Sequence, residues 1–74
     1  MELLLLKENL IDTAVCFYQE RVNEGLERFE KVLAMILQIP EFTRLIEPTM
    51  EAVENKDYVL LADIFYHEMA MRIE

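Results

Sequence analysis

Apolar side chains recur every three or four residues across the first 38 positions. This spacing is typical of an amphipathic helix, which repeats every 3.6 residues. No proline interrupts the segment, so the pattern predicts one long helix over residues 3–38. The main apolar stripe contains Leu4, Ile11, Val15, Tyr18, Val22, Leu26, Phe29, Val32, Leu33 and Ile36.

Gly25 lies inside this stripe and is the one weak point of the predicted helix. A glycine within a helix costs about 1 kcal/mol relative to alanine. It can mark a close approach between two helices, or a kink between them. Because the apolar period continues in phase on both sides, we expect an unbroken helix.

The first half of this helix carries a second apolar strip, about 90° from the main stripe. A helix with two apolar strips needs a neighbour on each. The second strip therefore predicts self-association through the first half of the chain. Its members are Leu3, Leu6, Leu10 and Phe17.

Pro40 is predicted to end the first helix, since the residue before a proline is biased away from helical geometry. Short helical segments are expected over residues 41–55, with Pro48 interrupting one segment and starting the next. Asn55 can close that helix in the left-handed conformation. Asp57 is a good N-cap for a last helix over residues 58–73.

The predicted last helix is apolar on nearly every side. One broad face holds residues such as Phe65 and Met69, and the opposite side holds Leu60, Leu61 and Ile64. A helix of this kind is normally buried. In so short a chain, a contact with a second subunit would bury it, so these three residues form the second predicted interface.

Length and composition also favour a partner. A chain of 74 residues is expected to form one domain, 1–74, whose core supplies about 3–5 kcal/mol. Apolar residues make up 54% of it, against about 45–50% in ordinary domains even with glycine counted. Cys16 is the only cysteine, so no disulfide can form within the chain.

The net charge of −8 argues against binding to nucleic acid or to anionic membranes, which both attract Lys and Arg. The first residues lack the positive segment and long apolar run of a secretory signal. No stretch approaches the length of a membrane span. With one cysteine, these features predict a cytoplasmic protein.

Asp63, His67 and Glu68 form the strongest candidate polar site. Asp63 and His67 are four residues apart on one helix, so a carboxylate could orient an imidazole for acid–base work or metal binding. A surface pair is the more common outcome. No cofactor, metal site or catalytic residue is predicted, and we expect a protein that is not an enzyme.

Two stretches together, Glu24 to Glu27 and Glu51 to Ile64 with Tyr66 and Glu68, resemble a family of small acidic helical proteins of Gram-positive bacteria with no characterised activity. The resemblance spans roughly Glu24 to Glu68. The shared features are a Lys-Asp-Tyr step (56–58) and a helix containing Ala-Asp followed by a tyrosine. Family members typically read Ala-Asp-x-x-x-Tyr-Glu, whereas Tyr66 here comes three residues after Asp63. His67 stands where the family commonly has an acidic residue. A looser similarity exists to flagellar export chaperones, which are small acidic helical proteins.

The sequence therefore predicts an all-α bundle of one long and two shorter helices, completed by self-association. A homodimer that acts through protein–protein contact is the expected function. The alternative is an adaptor or chaperone that binds a helix of a client protein.

Overall fold

The structure is a computed structural model and describes residues 3–73; Met1, Glu2 and Glu74 lie outside the described residues. Helical segments make up nearly all of this part, and it contains no strand. The predicted all-α class is therefore confirmed. The segments are α1 (Leu3–Tyr18), α2 (Val22–Ile36), a 3-10 turn (Pro40–Phe42), α3 (Thr43–Glu54), α4 (Tyr58–Asp63), a π-helical stretch (Ile64–Met69) and a final 3-10 turn (Ala70–Arg72).

The predicted unbroken helix over residues 3–38 is wrong, because the chain turns between α1 and α2. Glu20 adopts a left-handed backbone conformation with φ of 61°. The Arg21 N–H donates to the Cys16 carbonyl at 2.8 Å, and the Glu20 N–H donates to the Phe17 carbonyl at 3.1 Å. These two bonds form a Schellman cap. Glycine usually occupies the left-handed position of this cap, and glutamate here gives no such signal in the sequence.

Gly25 marks a close approach of α1 and α2. A Cβ atom at this position would lie 2.7 Å from Cε1 of Phe17. The Phe17 ring is buried and stacks on Tyr58, with centroids 5.4 Å apart and ring planes at 3°. The close-approach interpretation of Gly25 is therefore right, and the chain reverses five residues earlier.

A second Schellman cap ends α3. Lys56, with φ of 55°, takes the left-handed position, whereas Asn55 has φ of −85°. The prediction that Asn55 closes the helix is thus wrong by one residue. The predicted N-cap is confirmed: the Asp57 carboxylate accepts a hydrogen bond from the Leu60 N–H at 3.2 Å.

Pro48 lies inside α3 and does not interrupt it, contrary to the prediction. Proline has no N–H to donate to the carbonyl four residues earlier, which is that of Arg44. The helix continues past it because Thr49 and Ala52 are both buried against the core. The Thr49 hydroxyl donates to the Leu45 carbonyl at 2.6 Å.

The C-terminal helical segment, residues 58–72, begins at the predicted residue but widens in its middle. From Ile64 to Met69 the backbone is π-helical, and the Ala70 N–H reaches the Phe65 carbonyl five residues earlier. A π turn closes on the fifth residue instead of the fourth, so the side chains after it are rotated about the axis relative to those of a regular α-helix.

The helices form one antiparallel bundle. The end of α1 meets the start of the C-terminal segment, where Phe17 stacks on Tyr58. Phe29 of α2 stacks on Phe65, with centroids 5.8 Å apart. The radius of gyration, 10.9 Å, equals the value of about 11 Å expected for a compact chain of this length. No helix among residues 3–73 is long and apolar enough to cross a membrane.

Candidate interaction surface

Five of the seven side chains predicted to form an interface lie in the core of a single chain. Each of the five is no more than 6% exposed: Leu6, Leu10, Phe17, Leu61 and Ile64. Only Leu3 and Leu60, at 47% and 46% exposure, remain on the surface. The fold of the single chain therefore buries these five side chains in its own core and does not present them on its surface.

The reason lies in the turn between α1 and α2. Because the chain reverses there, the second apolar strip of α1 packs against the core. The residues of the main stripe that lie in α1 face outward or remain only half-buried. Leu4 and Tyr18 are exposed, and Ile11 and Val15 are half-buried. In α2 the main stripe does face the core, through Phe29, Val32 and Ile36.

Exposed apolar side chains concentrate at one end of the bundle. Leu3, Leu4 and Leu5 surround the first turn of α1, Leu37 directly follows α2, and Met71 lies in the last 3-10 turn. Their exposures run from 47% to 61%. Antiparallel packing brings these three chain segments to the same end, which we call the leucine end.

A groove of 690 Å³ adjoins the leucine end. Its apolar wall combines Leu3 with residues from the α2–α3 connection, from α3 and from the end of the chain: Ile39, Phe42, Leu45 and Ile73. The volume falls within the range of about 300–1,000 Å³ typical of ligand and peptide sites. The groove extends the apolar surface of the leucine end.

Four charged residues line the same groove, namely Glu41, Arg44, Glu68 and Arg72, which we call the rim. Glu68 and Arg72 form an ion pair at 3.4 Å. Neither Glu41 nor Arg44 forms an ion pair with another residue in the described part of the chain. The rim is electrically neutral, whereas the whole chain carries a charge of −8.

The structure does not bring Asp63, His67 and Glu68 together. Asp63 accepts a short hydrogen bond from the Tyr18 hydroxyl on α1. His67 lies edge-on to the ring of Tyr66, with centroids 5.0 Å apart, and Glu68 pairs with Arg72 at the rim. No ion pair joins Asp63 to His67 in the described part of the chain.

The Tyr18–Asp63 hydrogen bond joins α1 to α4. Partial burial and this bond raise the pKa of Tyr18 to about 12. The tyrosine is thus neutral and donates the proton throughout the physiological range. The hydrogen bond therefore links α1 to α4 throughout that range.

Cys16 also connects two helices. Its buried thiol donates to the Glu24 carboxylate at 3.2 Å. Burial, and then the bond to Glu24, raise the pKa of the thiol. Arg21 pairs with the same carboxylate at 2.7 Å. A raised thiol pKa lowers the reactivity of the cysteine.

Comparison with protein-family models, with curated proteins and with solved structures finds no match to this chain. Within residues 3–73, no group of three or more His, Cys, Asp or Glu side chains is arranged to hold a metal ion. The resemblance to acidic helical proteins of Gram-positive bacteria stays a prediction.

The interface predicted from the sequence included only Leu3 of the five residues of the leucine end. Four successive leucines, Leu3 to Leu6, cover every side of a helical turn, so at least two of them had to face away from any single core. That run of leucines was the one feature of the sequence from which an exposed apolar surface could have been predicted. Leu37 and Met71 join them only through the antiparallel packing.

Proposed function

We propose that this protein acts through protein–protein contact as a homodimer, and that it is not an enzyme. The observation that supports this is the concentration of exposed apolar side chains at the leucine end. Five of the nine large apolar side chains exposed among residues 3–73 lie there. Apolar side chains exposed together in one region of a small protein commonly mark a site of protein contact.

The magnitude of the available burial indicates a weak dimer. Burying a leucine completely is worth about 1.5–3 kcal/mol, so each half-exposed side chain of the leucine end could gain about 1 kcal/mol. Two copies together would gain about 10 kcal/mol, before the cost of association of about 4–15 kcal/mol. The expected dissociation constant is micromolar or weaker.

The core of one chain does not need a second copy. The accessible surface of 4812 Å² is about that of an ordinary monomer of this mass. Dimerisation is thus proposed as an activity of the exposed surface and not as a requirement for folding. A folded monomer is expected at low concentration. The single buried thiol of Cys16 fits the reducing cytoplasm, where we propose the protein works.

The test is the mass in solution over a range of concentrations, by sedimentation equilibrium, from about 1 µM to about 1 mM. We expect the mass to rise with concentration from 8.8 kDa toward twice that value. A constant monomer mass over the whole range would refute the proposed homodimer.

The second candidate is an adaptor that binds a client helix, and the apolar groove supports it, because amphipathic helices bind in such grooves. Affinity capture with the wild-type chain and with Leu3→Glu, which changes a half-exposed side chain of the groove wall, tests this candidate. A client should be retained by the wild-type chain and lost with the variant. A chain that captures only itself would remove this candidate.

A further inference from the structure

We infer that the leucine end and its groove form a two-fold symmetric contact, with a second copy of this chain as the occupant. The inference rests on the proposed homodimer and adds to it the surface, the symmetry and the charges that pair. The contact unites the apolar side chains at the start of α1 and after α2 with the charged rim of the groove.

The charge distribution selects a second copy as the occupant. Two chains of net charge −8 repel each other, and the repulsion is weakest where the facing surfaces are neutral. The rim supplies such a surface, with two carboxylates and two arginines around apolar side chains. A basic partner would instead prefer the acidic remainder of the molecule.

A two-fold contact also requires a surface that is complementary to itself. A surface with charges of one sign fails this condition, because each charge would face its own kind. In the rim, Glu41 and Arg44 carry opposite charges, lie three residues apart in sequence, and have no ion-pair partner within the described chain. Rotation about a two-fold axis can place Glu41 of each copy against Arg44 of the other.

The apolar part of the contact is tested with single substitutions that add the same charge at opposite ends of the bundle. Leu5→Glu and Leu37→Glu change the leucine end, at side chains 50% and 61% exposed. Val59→Glu and Leu60→Glu, at 62% and 46% exposure, are the matched controls at the far end. Circular dichroism and thermal unfolding at low concentration verify that each variant folds.

Sedimentation equilibrium then gives the dimer dissociation constant of each chain. We expect the two leucine-end variants to weaken dimerisation by at least about tenfold, as loss of a central apolar contact does. The far-end controls should change it by no more than about threefold, through added repulsion alone.

The proposed pairing of Glu41 with Arg44 across the two-fold axis is tested by exchanging the two charges. General repulsion predicts that Glu41→Arg, which lowers the net negative charge, strengthens the dimer and that Arg44→Glu weakens it. The two-fold contact predicts that both weaken it, by about 3- to 10-fold. The double variant, with Glu41→Arg and Arg44→Glu together, should restore the wild-type dissociation constant.

The outcomes separate this inference from the proposed function. A wild-type chain that stays monomeric overturns both. A dimer that survives Leu5→Glu and Leu37→Glu but is lost with Leu60→Glu leaves the homodimer standing and overturns this surface. Strengthening by Glu41→Arg overturns the two-fold pairing of charges.

Discussion

Replacing Gly25 with alanine tests whether the close approach of α1 and α2 holds the bundle together. Two effects oppose each other. Alanine in a helix interior is favoured over glycine by about 1 kcal/mol. The added Cβ atom, however, would lie 2.7 Å from the ring of Phe17, and restoring a contact of 3.4 Å requires a shift of about 0.7 Å.

The ring of Phe17 has little room to make that shift. It is 3% exposed and lies flat against Tyr58 at 5.4 Å. Overpacking of a core costs about 1–3 kcal/mol, and disturbing an aromatic pair costs about 0.5–1.5 kcal/mol. We therefore expect Gly25→Ala to destabilise the protein by about 1 kcal/mol net and to lower the thermal midpoint by about 4–8 °C.

The assay is urea and thermal unfolding followed by far-UV circular dichroism, with every variant at the same concentration. Glu30 is exposed in the same helix, so Glu30→Ala compared with Glu30→Gly measures the helix preference alone, about 1 kcal/mol. In a Phe17→Leu background the clash is reduced, and Gly25→Ala should then stabilise the protein. The two substitutions should couple by about 1–2 kcal/mol.

The reasoning is refuted if Gly25→Ala stabilises the wild-type protein as much as alanine does at position 30. It is also refuted if the effects of the two substitutions simply add. Either result would mean that α2 can move away from the Phe17 ring without cost, and that the bundle tolerates a wider spacing between its first two helices.

Lys56→Gly should raise the free energy of unfolding by about 0.5–1 kcal/mol in urea titrations, because glycine takes the left-handed cap without strain; a loss of stability would contradict the assigned cap. Pro48→Ala should raise the free energy of unfolding by about 1–2 kcal/mol, since the new N–H can donate to the Arg44 carbonyl. An unchanged free energy of unfolding would refute that account. Tyr18, with its pKa raised to about 12, should stabilise the fold fully below pH 10 and lose that contribution as pH rises from about 10 to about 12. As Tyr18 is 43% exposed, solvent screening reduces the contribution to about 1 kcal/mol. Tyr18→Phe should remove this pH dependence, and an equal alkaline loss in the variant would assign it to other groups.

Local signals predicted the start of the last helix correctly. The Asp57 N-cap, and the start of the last helix at Tyr58, follow from a carboxylate that accepts a hydrogen bond three residues on. Such an interaction involves only neighbours in sequence, so the sequence is enough to identify it. The prediction that Pro48 interrupts the helix was wrong because burial of the residues just after it outweighs one missing hydrogen bond.

The candidate site was much less predictable. Leu61 and Ile64 were expected at an interface and lie in the core, whereas Leu37 and Met71 lie on the surface that we propose for it. Apolar character shows that a side chain favours burial, but the hydrophobic effect has no direction. Apolar character therefore does not show whether a side chain is buried by its own chain or by another chain.

By itself, the sequence determined that this protein is helical, that its first half has two apolar strips, and that its last helix begins at Tyr58 after the Asp57 N-cap. Helical period and capping depend on residues within one or two turns. Only the tertiary structure decided which strip of α1 faces inward. The turn at Glu20 uses a left-handed residue other than glycine, so no local signal marks it. Once the chain reverses there, antiparallel packing buries Leu6, Leu10 and Phe17 and assembles the leucine end from distant segments.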